Sequence, residues 1–225
     1  MQRPPSLTEK TRHAQALLRE ALERHSADRV AVAFTGGKDS TLALFLWRRT
    51  LLDASSGMAP LALNLDTGVK FPEVLDFRDR IARTWGVRLH IAHPRNARAP
   101  VAVDKAACCK ERKIEPLLAA IGELGVTLLI TGIRADEHPS RAALPFCEQC
   151  AGHERLHPLL GFSEMDVWAA VQEYGLSWAP PYERGYRSLG CVPCTGLPGA
   201  GGDERSDRAA EKEAIMGDLR ALGYF

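Results

Sequence analysis

The sequence predicts an α/β fold of the doubly wound class, a mostly parallel sheet with helices on both faces. Three observations predict it. Four short apolar runs, RVAVAF (29–34), PLALNLD (60–66), RLHIAH (88–93) and VTLLITG (126–132), alternate with segments of helical length. The first run leads straight into TGGKDS (35–40), at the carboxyl end of a strand, where open α/β sheets hold their ligands. The bulk numbers, 225 residues with 45% hydrophobic and 25% charged, suit one soluble domain with a substantial appendage.

Each element has its own warrant. Residues 6–26 are predicted to form an amphipathic helix, with Ser6 and Glu9 as a capping box and Leu17, Leu18, Ala21 and Leu22 as one stripe. The strand at 29–34 follows, then the glycine loop, then a helix from about 40 to 52. After the strand at 60–66, residues 71–85 read as a helix with Pro72 in its first turn and Gly86 at its end. The strand at 88–93 precedes a helix over roughly 104–124 that Pro116 should kink or split. The strand at 126–132 completes the core. Beyond Gly132 a long polar loop carries RADEHPSR, and Ser163 caps a helix that ends at Gly175. The stretch 176–203 is rich in Pro, Gly and Tyr, and a charged helix is expected from about Asp203 to Leu222. The expected organisation is an N-terminal helix (1–28), a nucleotide-binding α/β domain with a cysteine cluster (29–202) and a C-terminal helix or tail (203–225), the part after about 135 folding back over the active face.

Charge and cysteines narrow the function. A net charge of +1 gives no global attraction to nucleic acid or anionic membrane, so neither is expected as partner. No apolar run reaches the length of a membrane span, and MQRPPSLTEK lacks the apolar core of a signal peptide. A cytoplasmic location is expected. The six cysteines form three pairs, Cys108-Cys109, Cys147-x-x-Cys150 and Cys191-x-x-Cys194, a spacing that points to metal or redox chemistry in a reducing compartment.

Thr35, Gly36, Gly37, Lys38, Asp39 and Ser40 have the parts of an anion cradle. The glycines admit backbone amides, the helix N-terminus adds its dipole, Lys38 supplies charge and Ser40 a hydroxyl. Asp66, Thr67 and Gly68 end the second strand at the same edge and are expected on the nucleoside side. Arg134, Arg141, Arg184 and Arg187 suit forked recognition of sulfate or phosphate. Asp136 and Glu137 are candidate orienting or metal groups, while His138 and His157 read as structural.

The loop resembles the pyrophosphate loop (PP-loop) of the N-type ATP pyrophosphatases, usual form SGGKDS, with Thr35 in place of the first Ser. Five further segments in the correct order resemble the phosphoadenosine phosphosulfate reductase family: LDTGVKFPEVLDF (65–77), CCKERKIEPL (108–117), ITGIRADEHPSRA (130–142), LHPLLGFSEMDVW (156–168) and PPYERGYRSLGCVPCTG (180–196). The resemblance implies an adenine nucleotide alpha hydrolase-like fold. It implies thiol-dependent reduction of adenylyl sulfate or phosphoadenylyl sulfate to sulfite, with Lys38, Arg134 and Arg141 at the reacting anion. It also implies the family's iron–sulfur branch, Cys108, Cys109, Cys191 and Cys194 matching the four ligands of a [4Fe–4S] cluster. Zinc on the same thiols is the alternative.

Two departures qualify these implications. Family reductases attack sulfur with a cysteine in a C-terminal ECG-x-H tail, and no cysteine follows Cys194 here. The thiol then falls to Cys147, Cys150 or an external donor, a thioredoxin-like protein or a small thiol. The intact GGKDS core and Glu137 resemble ATP-using members instead, which leaves an ATP-cleaving adenylyltransferase or sulfurtransferase, with Mg²⁺, as the alternative activity. A homo-oligomer is expected.

Overall fold

The computed structural model describes residues 5–197 and 204–224. Six strands, β1 (Val30–Ala33), β2 (Leu61–Leu65), β3 (Arg88–Ala92), β4 (Leu128–Ile130), β5 (Cys147–Cys150) and β6 (His153–Leu156), form one sheet in the order β3-β2-β1-β4-β6-β5. All neighbours are parallel except the β5–β6 pair at one edge. The chain runs outward from β1 first to β2 and β3, then returns to β4. That reversal opens the crevice beside β1 in which doubly wound sheets bind ligands.

Alternation along each strand divides the core in two. Val30 and Val32 of β1, Ala62 of β2 and Leu128 and Ile130 of β4 face one layer, packed by α1 (Leu7–Arg24), α2 (Lys38–Asp53), α3 (Pro72–Trp85) and, further along the chain, the helix Glu164–Glu173. Ala31, Ala33, Leu61, Leu63 and Leu129 face the other, covered by Leu117, Ala120 and Ile121. Helices therefore lie on both faces, as the fully apolar runs predict. Helix α2 is the central one, with Leu42, Leu44, Leu46, Trp47 and Leu51 all buried. Each of those leucines contributes about 1.5–3 kcal/mol by leaving water, which fixes α2, and hence the loop at its N-terminus, against the sheet.

Sequence signals mark most helix ends. The Ser6–Glu9 capping box is present on α1. Pro72 lies in the first turn of α3, and Gly86 ends that helix in the left-handed region. The predicted helix at 104–124 is interrupted rather than kinked. It comprises α4 (Lys105–Cys109), a π-turn over Lys110–Ile114 and α5 (Glu115–Leu124). Glu115 N–H reaches back to Lys110 O, five residues away, and the wide turn lets Pro116 enter the first turn of α5, where a missing N–H costs little. The helix at Glu164–Glu173, α6, carries a Ser163–Asp166 capping box.

Two expectations are corrected. The polar stretch after Gly132 contains the β5–β6 hairpin, with Cys147 opposite Leu156 and Cys150 opposite His153. The expected helix from Asp203 to Leu222 begins outside the described residues, and Glu204–Asp207 form turns. Only α7 (Ala210–Ala214) and α8 (Met216–Ala221) are helical. Arg208 bridges to Thr195, and the side chains of Glu204 and Arg205 are held by Lys38 at the start of α2 and by Glu137 in the turn after β4, which draws this backbone out of a helix. The break at Ile215 then lets Met216 and Leu219 bury against Cys109 and Ile114. Among the described residues no helix is long and apolar enough to cross a membrane.

Candidate functional site

The loop between β1 and α2 is built on two close approaches. Gly36 has φ +82°, and a Cβ there would meet Val74 Cγ1 at 2.8 Å. Gly132, just past β4, lies so near the first turn of α2 that a Cβ would stand 2.8 Å from Ser40 N and from the carbonyl carbon of Asp39. A glycine at each point lets strand, loop and helix touch backbone to backbone. The hydroxyls turn inward: Ser40 Oγ donates to Gly37 O (3.0 Å), Thr41 Oγ1 donates to Gly37 O (2.8 Å), and Thr35 N–H donates to Ser40 Oγ (3.2 Å). Asn64 Nδ2 props the loop from below by donating to Phe34 O (2.6 Å).

Lys38 and Arg134 are the cations of this site. Lys38 Nζ has three partners: Asp39 Oδ2 (3.1 Å), the carbonyl of Arg187 (3.1 Å) and Glu204 Oε1. Arg134, 0% exposed, donates to Asp39 Oδ1 (2.5 Å), Asp136 Oδ1 (2.6 Å) and Glu204 Oε2. Burial alone would lower the pKa of both cations, but Asp39, with Glu204, outweighs it and raises both. Glu204 moves the other way from a simple ion-pair partner. Its burial, with Asp39 facing it, holds its carboxyl above the usual range despite Lys38 and Arg134. Lys38 N–H donates to the hydroxyl of Tyr182 (3.0 Å), a phenol that burial pushes up to about 12.

A cavity of about 130 Å³ adjoins the loop, lined by Thr35, Gly37, Asp39, Ser40 and Arg141 among others. Its far wall is cationic, with Lys70, Lys113, Arg205 and Arg208 around Tyr224. Burial opposes ionisation of that phenol, but Lys113, Lys212 and the two arginines bring it down to about 6. Arg141 pairs with Glu137, and Arg205 donates to Glu137 (2.8 Å) and Glu213 (2.7 Å). Asp66, Thr67 and Gly68 line a separate, more open cavity of about 550 Å³ with His93, Arg95, Arg98 and Arg112. Asp66 accepts from Gly68 N–H (2.9 Å).

The expected site residues therefore separate. Thr35 to Ser40, Arg134 and Arg141 gather at one place, and Asp66, Thr67 and Gly68 at the neighbouring one. The guanidinium groups of Arg184 and Arg187 pair with Glu73 (2.6 Å) and Glu164 (2.5 Å), and the Arg187 carbonyl accepts from Lys38 (3.1 Å). Glu204, Arg205, Arg208 and the Tyr182 hydroxyl were not singled out in the sequence. The run DERSDR (203–208) was the available signal, and it reads as a solvated helix face.

Cys147 and Cys150 do not form a dithiol. Three residues of strand rise about 10 Å, beyond the about 7 Å that a disulfide spans between Cα atoms, and the two side chains leave opposite faces of β5. Cys147 meets Glu154 (3.6 Å), whereas Cys150 lines a cavity with His153, Arg155 and Arg220. All six cysteines are free.

The proposed metal ligands are only partly assembled. Cys108 and Cys109 end α4, and Cys191 and Cys194 flank a short turn. Burial would raise the Cys191 thiol, but Lys113 and Lys70 bring it down to about 7, and Lys113 also faces Cys109. Cationic surroundings of this kind suit thiolates. Among the described residues, however, no three His, Cys, Asp or Glu side chains converge to hold a metal ion. The two thiol pairs share the Lys113 cation without converging on a single ion.

Residues 29–197 match the phosphoadenosine phosphosulfate reductase domain. The adenosine 5′-phosphosulfate reductase of Allochromatium vinosum is 32% identical over 92% of this chain and 84% of its own. That of Burkholderia cepacia is 32% identical over 91% and 84%. Two solved structures share the fold. Phosphoadenylyl-sulfate reductase from Candida auris has a TM-score of 0.68 at 20% identity, covering 86% of this chain and 98% of that one. FMN adenylyltransferase from Candida glabrata has a TM-score of 0.63 at 16% identity, covering 99% and 84%. The fold is thus one that adenylyl-nucleotide enzymes use, and the sequence match over three quarters of the residues decides between them: the chain belongs to the phosphoadenosine phosphosulfate reductase family.

Proposed function

We propose that this chain is a sulfonucleotide reductase: it binds adenylyl sulfate or its 3′-phosphorylated form at the loop Thr35–Ser40 and yields sulfite. The observation that carries the reading is the pair of buried cations, Lys38 and Arg134, converging beside that loop at the carboxyl edge of β1. Two cations held in a low-dielectric crevice stabilise the charge that develops on a leaving or transferring oxyanion. Asp66, Thr67 and Gly68 hold the nucleoside side in the neighbouring cavity, and Arg141 closes the sulfate side.

The chemistry is a two-thiol reduction. A thiolate attacks the sulfur(VI) centre, an S–S bond forms, the S–O bond to the 5′-phosphate breaks and AMP leaves with the electron pair. A second thiolate attacks the thiol-derived sulfur, forming a disulfide and releasing sulfite. Sulfur is reduced by two electrons and two thiols are oxidised. In this reading the dithiol belongs to an external donor, a thioredoxin-like protein or a small thiol, a choice supported by the separation of Cys147 from Cys150. A cytoplasmic, homo-oligomeric enzyme fits the same reading.

The test is a pair of anaerobic incubations with a thiol reductant, one with adenylyl sulfate and one with ATP, Mg²⁺ and sulfate. Sulfite from the first is expected. Pyrophosphate from the second, with no sulfite from the first, overturns the reading in favour of an ATP-cleaving transferase.

A [4Fe–4S] cluster on Cys108, Cys109, Cys191 and Cys194 is the finer part of the proposal, supported by the cysteine pattern and by the cations facing Cys109 and Cys191. No step above runs through it. Anaerobically purified Cys109→Ser is expected to lose bound iron and the brown chromophore. Full iron in that variant removes Cys109 from the ligand set.

A further inference from the structure

The position that an anion should occupy at the loop already holds one. Glu204, 8% exposed, places one carboxylate oxygen on Lys38 and the other on Arg134. Two oxygens on two cations is how a sulfate or phosphate would be held there. An ammonium has three N–H donors, and all three of Lys38 are engaged, by Asp39, by the Arg187 carbonyl and by Glu204. Asp39 belongs to the loop itself, and Arg187 is tied to Glu164. Of the three partners, Glu204 alone comes from the C-terminal segment.

That segment is anchored just beyond it. Gly196 N–H donates to Asp207 O (2.8 Å), Arg208 bridges to Thr195, and Ala209 N–H donates to Cys194 O (3.3 Å). Arg205, the next residue, is held by Glu137 and Glu213, so Glu204 would leave the cations by swinging its side chain while residues 205–209 stay in place. Room is needed as well. The adjoining cavity measures about 130 Å³, against the roughly 300 Å³ or more of pockets that enclose small ligands.

We propose that Glu204 is a resident competitor that sets the specificity of the anion subsite: its carboxylate fills the subsite at rest, and only a ligand bringing its own oxyanion to Lys38 and Arg134 displaces it. The inference rests on reading the loop as an anion subsite. It makes the terminal sulfate or phosphate, rather than the nucleoside, the group that gains entry. AMP, whose single phosphate is its only anion, competes poorly. Holding the carboxylate also keeps two buried cations paired while the site is empty, when a lone buried charge would be costly.

The experiment uses the full chain and its Glu204→Gln and Glu204→Asp variants. Inorganic sulfate, AMP and adenylyl sulfate are titrated against each by calorimetry, and thermal unfolding is followed in parallel. A neutral amide offers one oxygen and no charge, so Glu204→Gln is expected to bind sulfate on the order of tenfold more tightly. Its preference for adenylyl sulfate over AMP should narrow. Glu204→Asp, which keeps the charge on a shorter side chain, should bind sulfate more tightly than the parent but less tightly than Glu204→Gln. Unchanged or weaker sulfate binding by Glu204→Gln, with its fold intact, overturns the inference and makes Glu204 a structural ion-pair partner. If Glu204→Gln fails to fold, Glu204→Asp decides: its shorter carboxylate reaches the two cations less well, and sulfate binding no tighter than the parent's overturns the competitor role. Failure of every chain to bind adenylyl sulfate while sulfate still responds to Glu204→Gln sinks the proposed function and leaves the competitor standing.

Discussion

Arg134→Leu is expected to lower the free energy of unfolding by about 3–5 kcal/mol, the range seen when one member of a buried ion pair is removed. Leucine fills much of the volume, so the loss is electrostatic rather than a cavity effect. Three carboxylates, Asp39, Asp136 and Glu204, bond this guanidinium, and Glu204 and Asp39 are held where water reaches them poorly. Without Arg134, the ion pairs to Lys38 are left to hold Asp39 and Glu204. Urea unfolding would read the effect as a fall in midpoint with an unchanged slope. Arg134→Lys should recover only part of it, because an ammonium cannot serve three divergent acceptors from the position of a planar fork. A midpoint within error of the parent for Arg134→Leu would mean that the carboxylates are solvated and that the site is looser than the burial of Arg134 implies.

Lys38→Ala is expected to weaken adenylyl sulfate binding on the order of a hundredfold or more, the scale for truncating one side of a buried charge pair. Two contributions act together. The ligand loses its contact to the ammonium, and Asp39, now without Lys38, turns a repulsive charge toward the incoming anion. Calorimetric titration of the folded variant measures it. Near-normal affinity would remove the loop Thr35–Ser40 from the nucleotide site altogether.

How much of this was legible depends on the range over which each feature is encoded. Strands β1, β2 and β4 were readable because burial on both faces writes a continuous apolar run. The edge hairpin was not, since CEQC and HERL alternate cysteine, histidine and charge, and no apolar face marks them. The loop was legible as a motif because Gly36 through Ser40 are neighbours in sequence. Its counter-charge was not, because Glu204 lies 166 residues from Lys38 in the chain and nothing local separates it from the other charges of DERSDR. The partners of Arg184 and Arg187 were hidden for the same reason: Glu73 and Glu164 lie far from them in the chain. The cysteine spacing named three pairs, and only the fold could show that Cys147 and Cys150 point apart.

The π-turn at Lys110–Ile114 sets the angular phase between two ends of one rod. Upstream of it, the rod's azimuth decides where Cys108 and Cys109 point; downstream, it decides that Leu117, Ala120 and Ile121 meet the sheet. In an unbroken α-helix the two settings are locked together, with each residue added or removed turning one end by about 100° relative to the other. The extra residue of the wide turn uncouples them by that amount. A one-residue deletion within 110–114 would leave the chain helical and its composition nearly unchanged, yet it would force a choice between seating the aliphatic face on the sheet and seating Cys109 against Met216 and Leu219.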